Sequence, residues 1–343
     1  VKKELKAFYS VLKDLDEYIK FVLVTGVSKF SKVSLFSGLN QLEDISLNKE
    51  YGNICGYTQQ ELEYYFKDYL EGIDKEEIKE WYNGYSFLSD RLYNPFDVLL
   101  YLKNKRLRSY WYETGTPGFL IKLIKEKQYN ISRLEGLRVN NSLLSRFDIE
   151  EMEIEALMYQ TGYLTIREEY NTEYGEEYIV GFPNKEVKIS FNRNILNEMI
   201  NGRESLDEIF YRVRGVFLKE EIEKLKEELE ILISNISYMY LREESNYVVA
   251  FFSMLYSSGL NVITEDNTHK GRIDLTVIVN KSIVYIMEFK VIAKEDEIGK
   301  ALHQIKDKEY YKKYMNYPKI YLIGIEFHKN TKKLVNFEYQ KIK

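Results

Sequence analysis

The sequence predicts a multidomain chain of mixed α/β and α+β class, and three observations predict it. Its 343 residues allow more than one core. Short apolar runs such as Phe21-Val-Leu-Val24 and Ile320-Tyr-Leu-Ile323 sit among helical periodicities, as in sheets covered by helices. A hairpin pattern around the polar turn 171–176 lies between helical stretches, as in an α+β module.

Residues 1–20 carry Leu5, Phe8, Tyr9, Leu12 and Leu15 at helical spacing. Phe21-Val-Leu-Val-Thr-Gly26 then reads as a short, fully buried strand ended by glycine. Thr58, with Glu61 three residues on, has the spacing of a capping box. Trp81-Tyr-Asn-Gly-Tyr85 to Asn94-Pro95 is turn-rich, and a helix is expected from Pro95 to Asn104.

Residues 117–160 are expected to be helical. Tyr163–Glu168 and Tyr178–Phe182 form the hairpin, and a helix follows Pro183, the layout of a small winged-helix-like module. Residues 204–234 read as strongly charged helix with leucine and isoleucine on one stripe. This gives domains at 1–115, 116–203 and 235–343, with 204–234 as a helical connector.

The last domain is expected to run helix (Glu243–Gly259), three strands (Val262–Glu265, Gly271–Val279, Ile283–Lys290), helix (Glu297–Met315), strand (Lys319–Glu326).

Charge and composition narrow the function. The net charge is -5, but residues 268–343 hold 16 Lys+Arg against 9 Asp+Glu, which leaves an acidic remainder. A basic C-terminus fits a polyanionic partner. A single cysteine, Cys55, excludes an intramolecular disulfide and a cysteine zinc cluster, and fits the cytoplasm. His269, His303 and His328 lack the close spacing of a helical histidine pair. A resident metal should therefore be a hard cation held by carboxylates. No apolar run reaches membrane-spanning length. The chain opens on Val1, not methionine, and is expected to be a fragment or a processed product.

Glu288 and Lys290 are two apart in an apolar strand, so they share one face. Glu-x-Lys alone means little: Glu4/Lys6, Glu77/Lys79 and Glu186/Lys188 also have it. Only Glu288/Lys290 follows an apolar strand and an aspartate strand of matching register. A three-residue turn Asn280-Lys-Ser282 would pair Val279 with Ile283 and set Asp274 opposite Glu288. Two facing carboxylates repel unless a cation lies between them, which invites Mg²⁺ or Mn²⁺. Lys290 would position or help deprotonate a water and offset developing charge. The bland alternative is an exposed ion pair at a strand end.

Gly271-Arg-Ile-Asp-Leu275, Tyr285-Ile-Met-Glu-Phe-Lys-Val291 and Ala301-Leu-His-Gln-Ile-Lys-Asp-Lys-Glu-Tyr310 together resemble the PD-(D/E)XK superfamily. More narrowly they resemble the C-terminal nuclease domain of bacterial AAA-ATPase-like proteins. The resemblance implies a restriction-endonuclease-like domain in which Asp274 and Glu288 bind metal and Lys290 is catalytic. It maps an upstream metal-binding glutamate to Glu244, near Tyr247, with Glu243 as rival. It maps a helical glutamine to Gln304, with Lys308 one turn on. Upstream, 24–40, 81–85, 93–95, 110–114, 159–165 and 182–187 resemble later signatures of the same ATPase-like family.

A Gly-x-x-x-x-Gly-Lys-[Ser/Thr] phosphate loop is absent from these 343 residues, as is an acidic pair ending an apolar strand. Tight ATP binding is not expected of them. Thr25 would sit near the end of a sensor-like strand, and Lys29 and Lys32 are expected to be ordinary loop residues. The expectation is a Mg²⁺-dependent nuclease acting on DNA. Its rival is a non-catalytic nucleic-acid- or protein-binding module that keeps the nuclease fold as scaffold. An ATP-driven switch needs residues this sequence lacks.

Overall fold

Buried runs with strand length and helices with one apolar stripe can satisfy their backbones and cores only by layering, and both parts of the chain do so. The structure is a computed structural model. It describes residues 7, 10–12, 14–26, 43–115, 118–127, 129, 131–141, 144, 153–173, 175–200, 206–237, 240, 241 and 243–343. Lys29 and Lys32 lie outside the described residues. Two compact units are present: Val1–Lys127 with Arg133–Lys188, and Gln128–Ser132 with Ile189–Lys343.

In the first unit, helix α1 (Gln59–Tyr65) starts at Thr58. The Thr58 hydroxyl accepts from the Glu61 N–H while the Glu61 carboxylate accepts from the Thr58 N–H, the capping box that the spacing predicts. Helix α2 (Lys75–Tyr82) is capped by Asp74. Strands β1 (Asn83–Tyr85) and β2 (Leu92–Tyr93) pair antiparallel. Helix α3 (Pro95–Asn104) has the bounds read from its proline start. Helices α4 (Tyr110–Gly115) and α5 (Gly118–Glu126) follow. Leu62, Ile78, Tyr82, Tyr93, Val98 and Leu102 form a core among α1, α2, β2 and α3.

Strands β3 (Leu137–Asn140), β4 (Thr165–Thr172) and β5 (Gly175–Gly181) make a sheet of order β3-β5-β4, with α6 (Ile154–Gln160) preceding the hairpin. The expected hairpin is present. The expected continuous helix over 117–160 is not, because β3 interrupts it and pairs with β5, Val139 opposite Tyr178. Only Val139 of β3 is buried, and one inward residue is too short a pattern to show period two. Residues 21–26 are a second correction. They are not strand, and Phe21 is 79% exposed. A buried parallel strand needs neighbours on both sides, and none pairs with this segment among the described residues.

Helix α7 (Lys185–Met199) follows Pro183 as expected. The helical stretch expected over 204–234 is divided into two helices, α8 (Leu206–Lys219) and α9 (Ile222–Asn235). Glu220 breaks them apart in a left-handed conformation, φ 60°. Its carboxylate receives Lys319 and, at 2.6 Å, the Tyr321 hydroxyl. The charged stretch is therefore packed onto the sheet of the second unit.

That sheet comprises β6 (Asn261–Thr268), β7 (Gly271–Val279), β8 (Ile283–Ile292), β9 (Lys319–His328) and β10 (Leu334–Lys341), in the order β10-β9-β8-β7-β6. Only β8 and β9 run parallel. Helix α10 (Glu244–Ser257) covers one face, stacking Phe251 on Phe289 and Tyr247 on Phe327. Helix α11 (Lys300–Asp307) and a 3-10 turn at Tyr310–Tyr314 cover the other, over Val284, Ile286, Ile320 and Leu322. The long helix expected from Glu297 to Met315 is broken at Glu309, φ 53°. Strand β10 was not expected from the sequence. Its residues are mostly exposed at an edge, so apolar burial marks it weakly.

Candidate active site

Period-two alternation in β8 sends Tyr285, Met287 and Phe289 to the α10 face and Glu288 and Lys290 to the α11 face. The β7–β8 turn places Asn280 and Lys281 at φ 48° and 53°, with the Ser282 N–H donating to the Val279 carbonyl at 3.0 Å. Pairing then runs from Val279↔Ile283 to Leu275↔Met287, the register expected. It stops one residue short of Asp274. There the Asp274 carboxylate, in place of a backbone carbonyl, accepts the Phe289 N–H at 2.8 Å. Asp274 thus stands where two strands part, beside Glu288.

The structure brings Asp274, Glu288, Lys290 and Gln304 together, but Glu244, expected as a third metal-binding carboxylate, is turned to Lys290 and not to the carboxylate pair, and Glu243 takes no part. Gln304 of α11 donates to Glu288 Oε1, and Lys290 Nζ lies 3.4 Å from the same oxygen. Lys290 Nζ also donates to Glu244 Oε1 at 2.9 Å. Glu243 instead caps α10: its carboxylate accepts from the Asn246 N–H, and its own N–H donates to Asn246 Oδ1 at 2.9 Å. Glu244 reaches the site through Lys290. Tyr247 packs one turn along α10, with its buried hydroxyl unpartnered.

Glu288 is 1% exposed, and its Oε2 is buried with no hydrogen-bond donor. Burial, and then the charge of Asp274, push its carboxyl up to about 8 against the pull of Lys290. Burial also raises Asp274 to about 6, opposed by the Phe289 N–H and Lys290. Burial works to lower Lys290, but its bond to Glu244 and the surrounding carboxylates outweigh this and keep it an ammonium. The pair of acids is therefore short of positive charge.

That is the test of fit for a divalent metal. A buried carboxylate oxygen without a donor, beside a second repelled carboxylate, suits a hard cation taking oxygen ligands. Among the described residues no three His, Cys, Asp or Glu side chains gather around one point, since Glu244 is turned to Lys290. Asp274 and Glu288 are the two that would hold the ion, a number usual for Mg²⁺ when water and phosphate oxygens complete the set.

With this geometry in place, two comparisons are informative. Residues 242–337 match the PD-(D/E)XK nuclease superfamily, and residues 1–36 match a predicted AAA-ATPase family. Residues 242–337 form a PD-(D/E)XK superfamily domain. The chain is also 38% identical over 344 positions to a protein of Azotobacter chroococcum mcd 1 described as an uncharacterized protein in the vnfD 5′ region. The match covers 98% of this chain and 66% of that protein, so the chain spans slightly less than two thirds of that relative's length.

Three residues of the PD-(D/E)XK domain site carried no signal of their own in the sequence. Tyr310 is buried, and burial with the nearby Glu288 raises its hydroxyl, which places it against the carboxylates. Gly324 pairs with Glu288, and Glu326 pairs with Lys290. Nothing in an apolar run marks a glycine or a glutamate as a neighbour of the site until strand order is known.

Proposed function

We propose that the chain is a metal-dependent nuclease that hydrolyses DNA phosphodiester bonds at Asp274, Glu288 and Lys290. The observation that carries this reading is the buried, donor-less Glu288 Oε2, on a carboxylate that Asp274 pushes up, within a PD-(D/E)XK domain. Mg²⁺ or Mn²⁺, when bound, would polarise the phosphoryl oxygen and acidify a water ligand.

The chain's own residues divide the remaining work. Asp274 is fixed by the Phe289 N–H and Glu288 by Gln304 and Lys290, so neither carboxylate must reorganise. Lys290 is held as an ammonium by Glu244 and Glu288, which favours offsetting charge on the phosphoryl oxygens over removing a proton. The sequence supplies no phosphate loop, so the reading assigns no ATP hydrolysis to residues 1–115. The helix, hairpin, helix order of α6, β4, β5 and α7 supports reading 116–203 as winged-helix-like.

The test is cleavage of plasmid and single-stranded DNA in Mg²⁺ or Mn²⁺ by wild type, Asp274→Ala and Lys290→Ala. The proposal expects both variants to lose about 100-fold or more in rate. Equal cleavage by all three would refute it.

A further inference from the structure

Glu326 lies wholly buried on β9, in register with Lys290, yet it is not part of the carboxylate pair. Its Oε2 accepts from the Gly299 N–H at 2.8 Å and from the Asn336 side-chain amide at 3.0 Å. Its Oε1 accepts from the Ala301 N–H at 2.8 Å. Such charge-assisted bonds are what a buried carboxylate requires. Gly299 and Ala301 flank the first residue of α11, so the carboxylate grips that helix where its backbone donors are free and its dipole is positive.

Two residues earlier, Gly324 pairs with Glu288. A Cβ on Gly324 would lie 2.5 Å from the Leu302 nitrogen, so α11 rests directly on the strand backbone. The same helix, one turn further, delivers Gln304 to Glu288 Oε1. Glu326, Gly324 and Gln304 thus form one mechanical path from β9 through α11 to the site.

We infer that Glu326 is a positioning residue, which clamps the start of α11 to β9 and thereby holds Gln304 on Glu288 and Glu288 in the orientation a divalent cation needs. This rests on the reading of Asp274 and Glu288 as a metal site. Glu326→Gln keeps the shape but turns one acceptor into a donor facing N–H groups, which opens the clamp.

The experiment is calorimetric titration of Mn²⁺ into the full chain as wild type, Gln304→Ala, Glu326→Gln and the double variant. Each single change is expected to weaken Mn²⁺ binding about 10–100-fold. The double variant should bind within about twofold of Gln304→Ala alone, because both changes remove the same contact. A Glu326→Gln penalty of the same size in both backgrounds, or none in the wild-type background, would overturn the inference. If Glu326→Gln fails to fold, Asn336→Ala strips one donor from the clamp and should give a smaller loss that vanishes beside Gln304→Ala. A loss that persists there overturns it equally. Wild type that binds no Mn²⁺ would instead overturn the metal-site reading and the clamp with it, whereas binding without coupling overturns the clamp alone.

Discussion

Replacing Glu288 by Gln should make the metal-free protein more stable while removing an acid from its site. The carboxyl is pushed from 4.5 up to about 8 by burial and by Asp274. The folded state therefore holds this proton more tightly than the unfolded chain. Stability linked to it is whole below about pH 4.5 and is lost as the pH climbs to about 8. Each tenfold change in proton affinity is about 1.4 kcal/mol, so ionising Glu288 costs the folded state about 3 kcal/mol at pH 7. Glutamine imitates the protonated acid, keeps an acceptor for Gln304, and places an amide where Oε2 has no donor. Imperfect pairing of that amide offsets part of the gain and leaves about 2 kcal/mol. Both tryptophans, Trp81 and Trp111, belong to the other unit, so the assay is urea unfolding followed by far-ultraviolet circular dichroism in EDTA. The variant should fall up to about 1 kcal/mol below wild type near pH 4.5 and exceed it at pH 8. Equal stability at both pH values, or a variant weaker at pH 8, would refute the reasoning.

Other consequences are open to measurement. Asp97 and Glu186, both 0% exposed, share the Trp111 N–H at 2.7 and 3.0 Å. Burial raises Asp97 to about 6, and burial with Asp97 raises Glu186 to about 9. Glu186→Gln should therefore stabilise this unit by about 2 kcal/mol at pH 8 and by little near pH 4.5, seen as a higher urea midpoint in tryptophan fluorescence. Gly324→Ala should cost about 1–3 kcal/mol, because its Cβ meets the Leu302 nitrogen at 2.5 Å; a neutral result would show that α11 can lift freely. Tyr247→Phe removes a buried hydroxyl that has no partner, so thermal unfolding should be unchanged or later; a loss above about 1 kcal/mol would mean a bonded hydroxyl. DNA affinity should fall steeply between about 50 and 200 mM salt in fluorescence anisotropy; a flat response would exclude phosphate-dominated binding.

Much of the second unit was legible because its signals are local. Alternation fixed the faces of β8, and the turn Asn280–Ser282 fixed the register that brings Asp274 to Glu288. The Thr58–Glu61 cap and the Pro95 start were equally local. What stayed hidden depends on partners distant in sequence. β3 exists because β5 offers it an edge, and β10 because β9 does. Residues 21–26 show the converse, an apolar run that no neighbour turns into a strand among the described residues. Glu220 and Glu309 break helices through φ values that neither residue type announces. At the site, Lys290 identified itself by spacing, but its tie to Glu244, and the capping task that removes Glu243, needed the start of α10 placed beside β8.

The most direct test of the central claim is Mg²⁺-dependent DNA cleavage by Glu288→Gln, because this variant is expected to be better folded than wild type. The account predicts a protein of equal or greater stability whose cleavage rate falls by about 100-fold or more. Cleavage at the wild-type rate would show that the buried carboxylate is not part of the catalytic site.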